Sequence, residues 1–189
     1  MEEEFLRYVR LLYERGHITL LSGNVSAKSG DLILITPTNW PKPFLTPEDL
    51  VWINLSGEVV KGRLRPTSEW RLHVEVYKRR QDVGAVVHTH DVLPTVLAER
   101  IDASALSEAE AYLGSGVAVV PYIKPGTREL AEAAAEALIH SNVAVLKRHG
   151  VVAVGRDLAE AVNRVEVLAD LAKATLYTTI LKIVEKYAL

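Results

Sequence analysis

Cysteine is absent from this 189-residue sequence, which excludes disulfides, thiolate nucleophiles and thiolate metal ligands. Any metal must be held by histidine, carboxylate, carbonyl or water. Long apolar runs are missing too: none reaches the roughly 18 residues that a membrane-spanning helix needs. There is no long Lys/Arg run and the formal charge is -2, so no basic surface suits a nucleic acid. The first residues, Met1-Glu2-Glu3-Glu4, are acidic, unlike the basic start of a signal peptide, and a cytoplasmic location is expected. One methionine and one glutamine, Gln81, leave few labile side chains, as in proteins of hot habitats. What is present is 49% hydrophobic and 24% charged residues, a chain long enough for one sizeable core. A single domain over residues 1–189 is the expectation.

Taken in order, residues 3–15 carry Phe5, Leu6, Val9, Leu12 and Tyr13 at spacings of three and four, an amphipathic helix that Gly16 stops. Residues 21–26 read as a loop or short strand, and 31–35 as a strand. Pro41 and Pro43 keep the next stretch irregular. Residues 51–60 form a hairpin pattern. A helix is expected over 66–80, with Thr67 or Ser68 as N-cap and Leu72, Val76 and Tyr77 buried. Further strands are expected at 85–90, 117–120, 142–146 and 151–154, and helices at 94–100, 125–139 and 158–187. Interleaved strands and helices without repeats indicate one α/β domain with helices on both faces of a sheet. The short hairpin links imply that much of the sheet is antiparallel.

The stretch Ala85-Val86-Val87-His88-Thr89-His90 has the strongest chemical content. β-Branched residues favour a buried strand, and in a strand residues i and i+2 share a face. His88 and His90 therefore project together, as half of a metal site or as a hydrogen-bonded pair at a strand end. His149, at a turn before Gly150, is a third candidate ligand that the fold would have to bring to them. Three neutral imidazoles with an open position is the arrangement of a catalytic zinc. Glu69 either complements a helix N-terminus or acts as a general base beside the metal. His17, His73 and His140 read as structural or solvated.

Seven segments occur in an order that resembles one known family. They are Ser22-Gly23-Asn24-Val25-Ser26, Ile35-Thr36-Pro37-Thr38, Thr67-Ser68-Glu69-Trp70-Arg71-Leu72-His73, Ala85 to His90, Pro121-Tyr122, Gly126-Thr127-Arg128-Glu129-Leu130, and His149-Gly150. The chain is similar to the class II aldolase/adducin family, most of all its L-fuculose-1-phosphate aldolase branch, from about Phe5 to Leu176. The resemblance implies a three-layer αβα sandwich with a largely antiparallel central sheet. It implies a homotetramer with active sites at subunit interfaces, and one zinc ion per subunit on His88, His90 and His149. Glu69 would be the catalytic acid/base, and Gly23, Asn24, Thr38, Thr67 and Ser68 would bind a substrate phosphate. The reaction implied is reversible cleavage of a ketose 1-phosphate to dihydroxyacetone phosphate and an aldehyde.

The sequence departs from that pattern at several points. Leu21 replaces a threonine two residues before the motif glycine, and Asn39 stands where a glycine follows Thr38. The family's aldehyde-side tyrosine has no match in Leu106-Ser107-Glu108-Ala109. The chain ends soon after its last helix, so Tyr187 is the candidate stand-in for a tyrosine of the family's tail. Within the family, pentulose-phosphate 4-epimerases usually carry Asp where Glu69 stands, whereas methylthioribulose-1-phosphate dehydratases share Glu69 and the three histidines. A non-catalytic adducin-like module would be expected to lose those histidines. A zinc hydrolase is the rival outside the family, although an HExxH helix is absent.

Overall fold

The computed structural model describes residues 1–114 and 116–187. Its centre is a sheet of eight strands: β1 (Asn24–Ser29), β2 (Leu32–Ile35), β3 (Val51–Asn54), β4 (Val59–Lys61), β5 (Ala85–Thr89), β6 (Val117–Val120), β7 (Val143–Leu146) and β8 (Gly150–Gly155). The spatial order is β4-β3-β2-β1-β5-β8-β7-β6. Neighbours pair antiparallel except β6 with β7.

Alternation along each strand divides the core into two apolar layers. On one face Val25, Ala27, Ala85, Val87, Val151 and Ala153 pack with α1 (Glu2–Glu14) and the long α6 (Leu158–Tyr187), through Phe5, Val9, Leu12, Val165, Leu168 and Leu171. On the other, Ile33, Ile53, Val86, Val152 and Val154 meet α2 (Trp70–Arg79) and α5 (Arg128–Ala137), through Leu72, Val76, Tyr77, Leu130 and Ala134. Each fully buried aliphatic side chain contributes about 1.5–3 kcal/mol on transfer from water. The result is the three-layer αβα sandwich with a mostly antiparallel sheet.

Several local expectations are corrected. The helix expected over 66–80 begins at Trp70, because Thr67 Oγ1 accepts the Glu69 N–H at 3.3 Å and folds residues 67–69 into a turn. Glu69, not Thr67 or Ser68, takes the N-cap position. In α5 the cap is Thr127, whose hydroxyl accepts the Leu130 N–H, so that helix starts after Pro125. The helix expected over 94–100 is α3 (Val92–Leu97), with Pro94 inside its first turn, where a missing N–H is harmless. Sequence reading assigned no element near residue 110, where α4 (Ser107–Leu113) lies.

Candidate metal centre and anion cavity

Strand pairing assembles the site. His88 lies opposite Asn24 on β1 and Val152 on β8, on the face that carries Val86, so it points toward the N-terminal end of α2. His90 follows one residue beyond β5. His149 sits in the turn between β7 and β8, behind Arg148, which holds a left-handed φ of 61°. Gly150 permits this approach: a Cβ there would lie 2.1 Å from the Thr89 carbonyl oxygen.

The three rings form a near-equilateral triangle, with centroids 4.9, 4.7 and 5.1 Å apart. Glu69 completes the group, and one ligand atom from each of the four residues lies within 4.8 Å of every other. The Val151 carbonyl, 2.9 Å from His88 Nδ1, can only accept, so Nδ1 carries a proton and Nε2 is the ring nitrogen turned toward the other residues of the group. That nitrogen faces His90 Nε2 at 3.1 Å and Glu69 Oε2 at 3.0 Å. These nitrogen and carboxylate oxygen atoms converge closely enough that one metal ion could be met by all four residues. Glu69 Oε1 and His149 Nδ1 are buried without a hydrogen-bond partner. Neutral nitrogen donors beside a carboxylate suit a divalent ion.

The electrostatics point the same way. Burial pushes His90 and His149 down to about 4, reinforced by the charge of His88, so both rings stay neutral near pH 7. Burial opposes ionisation of Glu69, but His88, then His149 and the Asn24 amide, outweigh it and hold the carboxyl well below the usual range. Glu69 is therefore a carboxylate, the form a base requires.

A buried chain orients it. Asn24 Nδ2 donates to Glu69 Oε2 at 3.2 Å, and Asn24 Oδ1 accepts from His73 Nε2. His73 Nδ1 meets Ser26 Oγ at 2.7 Å, and Ser26 meets the Tyr77 hydroxyl at 2.8 Å. His73 is thus a structural histidine with a defined task, because it fixes which end of the Asn24 amide faces Glu69. His17 Nδ1 meets Asp91 Oδ1 at 3.0 Å and is not one of the four converging residues.

Beside the imidazoles a cavity of about 110 Å³ is lined by Gly23, Asn24, Thr38, Thr67 and Ser68, together with Glu69 and His90. All five residues expected to bind phosphate thus meet in one place. Several of their donors are already committed: the Thr38 N–H bonds to Arg65 and the Thr67 N–H to Thr36. Gly23 holds a φ of 83°, and a Cβ there would lie 2.4 Å from Ile18 Cγ2. Asn39, in place of glycine, keeps the turn by adopting a φ of 50°, which asparagine tolerates. Lys42 also lines the cavity. It was not expected, since a lysine between two prolines has no periodic or motif signal of burial. Tyr187 lies outside the cavity and the cluster, exposed at the end of α6.

Comparison with known proteins agrees with this geometry. Residues 3–176 match the family described as Class II Aldolase and Adducin N-terminal domain. The L-fuculose phosphate aldolase of Methanocaldococcus jannaschii is 37% identical over 182 residues, covering 96% of this chain and 98% of that one. The L-fuculose phosphate aldolase of Escherichia coli strain K12 is 40% identical over 164 residues, covering 84% and 75%. A solved structure of an L-fuculose 1-phosphate aldolase superposes with a TM-score of 0.89 at 32% identity, covering 95% of this chain and 86% of that one.

Proposed function

The chain belongs to the class II aldolase/adducin family and is a metal-dependent lyase; from that premise we propose that it reversibly cleaves an L-fuculose 1-phosphate-like ketose 1-phosphate to dihydroxyacetone phosphate and an aldehyde. The observation that carries this reading is the convergence of Glu69, His88, His90 and His149 beside the cavity that holds Gly23, Asn24, Thr38, Thr67 and Ser68. His88, His90 and His149 would hold zinc, which supplies Lewis-acid polarisation of a carbonyl and a counter-charge for the anion formed beside it.

Glu69 removes the proton from the carbon next to the ketone of dihydroxyacetone phosphate. The enediolate carbon then attacks an aldehyde, forming the carbon–carbon bond, and the aldehyde oxygen takes up a proton. Cleavage is the reverse, with Glu69 returning its proton to carbon. Asn24 keeps Glu69 aimed throughout, and hydroxyls of Thr38, Thr67 and Ser68 bind the phosphate. We extend the reading to a cytoplasmic homotetramer with interfacial sites. Support comes from α6, which exposes Tyr177, Ile180, Leu181, Ile183, Val184 and Tyr187, an apolar surface that favours association. Tyr187, delivered by a neighbouring subunit, is the aldehyde-side candidate. No helix of the described residues is long and apolar enough to cross a membrane.

The half-reaction tests this without knowledge of the aldehyde. Metal-loaded protein is incubated with dihydroxyacetone phosphate in deuterium oxide, and loss of one hydrogen next to the carbonyl is followed by proton NMR. Chelator-sensitive exchange is the expected result. No exchange with metal bound would contradict the proposal.

A further inference from the structure

Lys42 is among the most buried side chains of the protein, at 2% exposure. Pro41 and Pro43 flank it, and the single 3₁₀ turn Lys42–Phe44 places it against the loop before β1. Its Nζ donates to the Leu21 carbonyl at 3.3 Å and the Trp40 carbonyl at 3.1 Å. An ammonium has three donors, so one is left over. Among the described residues no carboxylate lies within ion-pair distance of it. Burial of this uncompensated charge pushes the ammonium down to about 8.

The contrast with Asp49 is informative. That buried carboxylate is paired with Arg63 at 2.9 Å and hydrogen-bonded to Thr46. A buried charge is retained where a counter-charge meets it, and among the described residues Lys42 Nζ is met by the Leu21 and Trp40 carbonyl dipoles and by no carboxylate within ion-pair distance. The space it lines is the cavity shared with Ser22, Gly23, Thr38, Asn39 and Ser68. Glu69 lines the same cavity, so an anionic group entering it meets one formal negative charge. Lys42 is the formal positive charge among the lining residues that offsets it. Arg65 and Arg71 line the outer mouth beside Thr38 and Ser68; they are exposed, so water screens them.

We propose that Lys42 is the buried cation of the anion cavity and donates a charge-assisted hydrogen bond to the phosphoryl group of the substrate. This rests on reading the cavity as the phosphate site, and it adds a residue whose ammonium is held in place before the anion arrives. The Leu21 carbonyl acts as a positioning group for it.

The test is titration of metal-loaded protein with inorganic phosphate, comparing wild type with Lys42→Met, with metal content measured on both. The expected result is roughly a ten- to hundredfold loss of phosphate affinity at unchanged metal content, as for loss of a charge-assisted hydrogen bond. Equal affinity would overturn the proposal, because phosphate held on the metal or by hydroxyls alone is indifferent to Lys42. Should Lys42→Met not fold, the wild-type protein carries the test. The ¹³Cε resonance of Lys42, assigned with Lys42→Arg, shifts on adding phosphate; an unmoved resonance overturns the proposal. Phosphate binding through Lys42 without proton exchange on dihydroxyacetone phosphate would remove the aldolase reading and leave Lys42 standing. Exchange with the same KM in Lys42→Met would do the opposite.

Discussion

The imidazole cluster stands on and at the ends of paired central strands, whereas the anion cavity beside it is walled mainly by loops. His88 is held by strand register and by the Val151 carbonyl, and His149 by a tight turn that needs Gly150. The cavity walls come instead from the turns at residues 21–24, 38–42 and 67–68. A metal tolerates little variation in donor type or spacing, and its candidate ligands sit on or within three residues of paired strands. A phosphate accepts hydrogen bonds from many directions, so hydroxyls, amides or an ammonium on variable loops can serve it.

The sharpest way to break this contrast is His90→Ala. It should abolish both bound metal, measured by elemental analysis, and carbon–carbon cleavage; full occupancy would show that the ligand set is wrong. Glu69→Gln is expected to keep metal content near normal but slow turnover by about a hundredfold or more, the usual cost of losing a general base. Undiminished turnover would remove Glu69 from its role.

On the cavity side a single change should be milder. Ser68→Ala removes one hydroxyl and should raise KM for the phosphorylated ketose about three- to tenfold, the value of one hydrogen bond, with kcat less affected. A larger loss in kcat than in KM would place Ser68 in the chemistry rather than in binding.

A smaller effect concerns acid. His90 and His149 are pushed down to about 4 and His73 to about 3 from an ordinary 6.5, so the native metal-free protein keeps them neutral. Below about pH 6.5 the unfolded chain binds protons that the native state refuses, and stability falls as pH drops toward 4. The lowered Glu69 carboxyl adds to the loss at still lower pH. Urea midpoints of metal-free protein should therefore be lower at pH 5 than at pH 7.5. Equal midpoints would mean that the rings are not held neutral.

The same contrast governs what could be read without coordinates. His88 and His90 were legible because strand alternation alone puts them on one face. His149 and Glu69 were legible as functional residues only through the ordered family segments, since nothing local distinguishes a turn histidine or a first-turn glutamate. The layer architecture followed from apolar periodicity, yet the start of α2 did not, because the Thr67 hydroxyl closes a turn before the helix instead of capping it. His73 had no visible partner in the chain, as Asn24 and Ser26 lie 49 and 47 positions away. Lys42 was illegible for a similar reason: its burial comes from carbonyls of separate loops meeting in space.

The central claim is metal-dependent cleavage of a phosphorylated ketose, and the most direct measurement is dihydroxyacetone phosphate release from L-fuculose 1-phosphate. It is run on metal-loaded protein, on chelated protein, and after zinc is restored. The account predicts release that the chelator abolishes and zinc recovers. Zinc-loaded protein that releases none from this or any related ketose 1-phosphate, or release indifferent to the chelator, would contradict it.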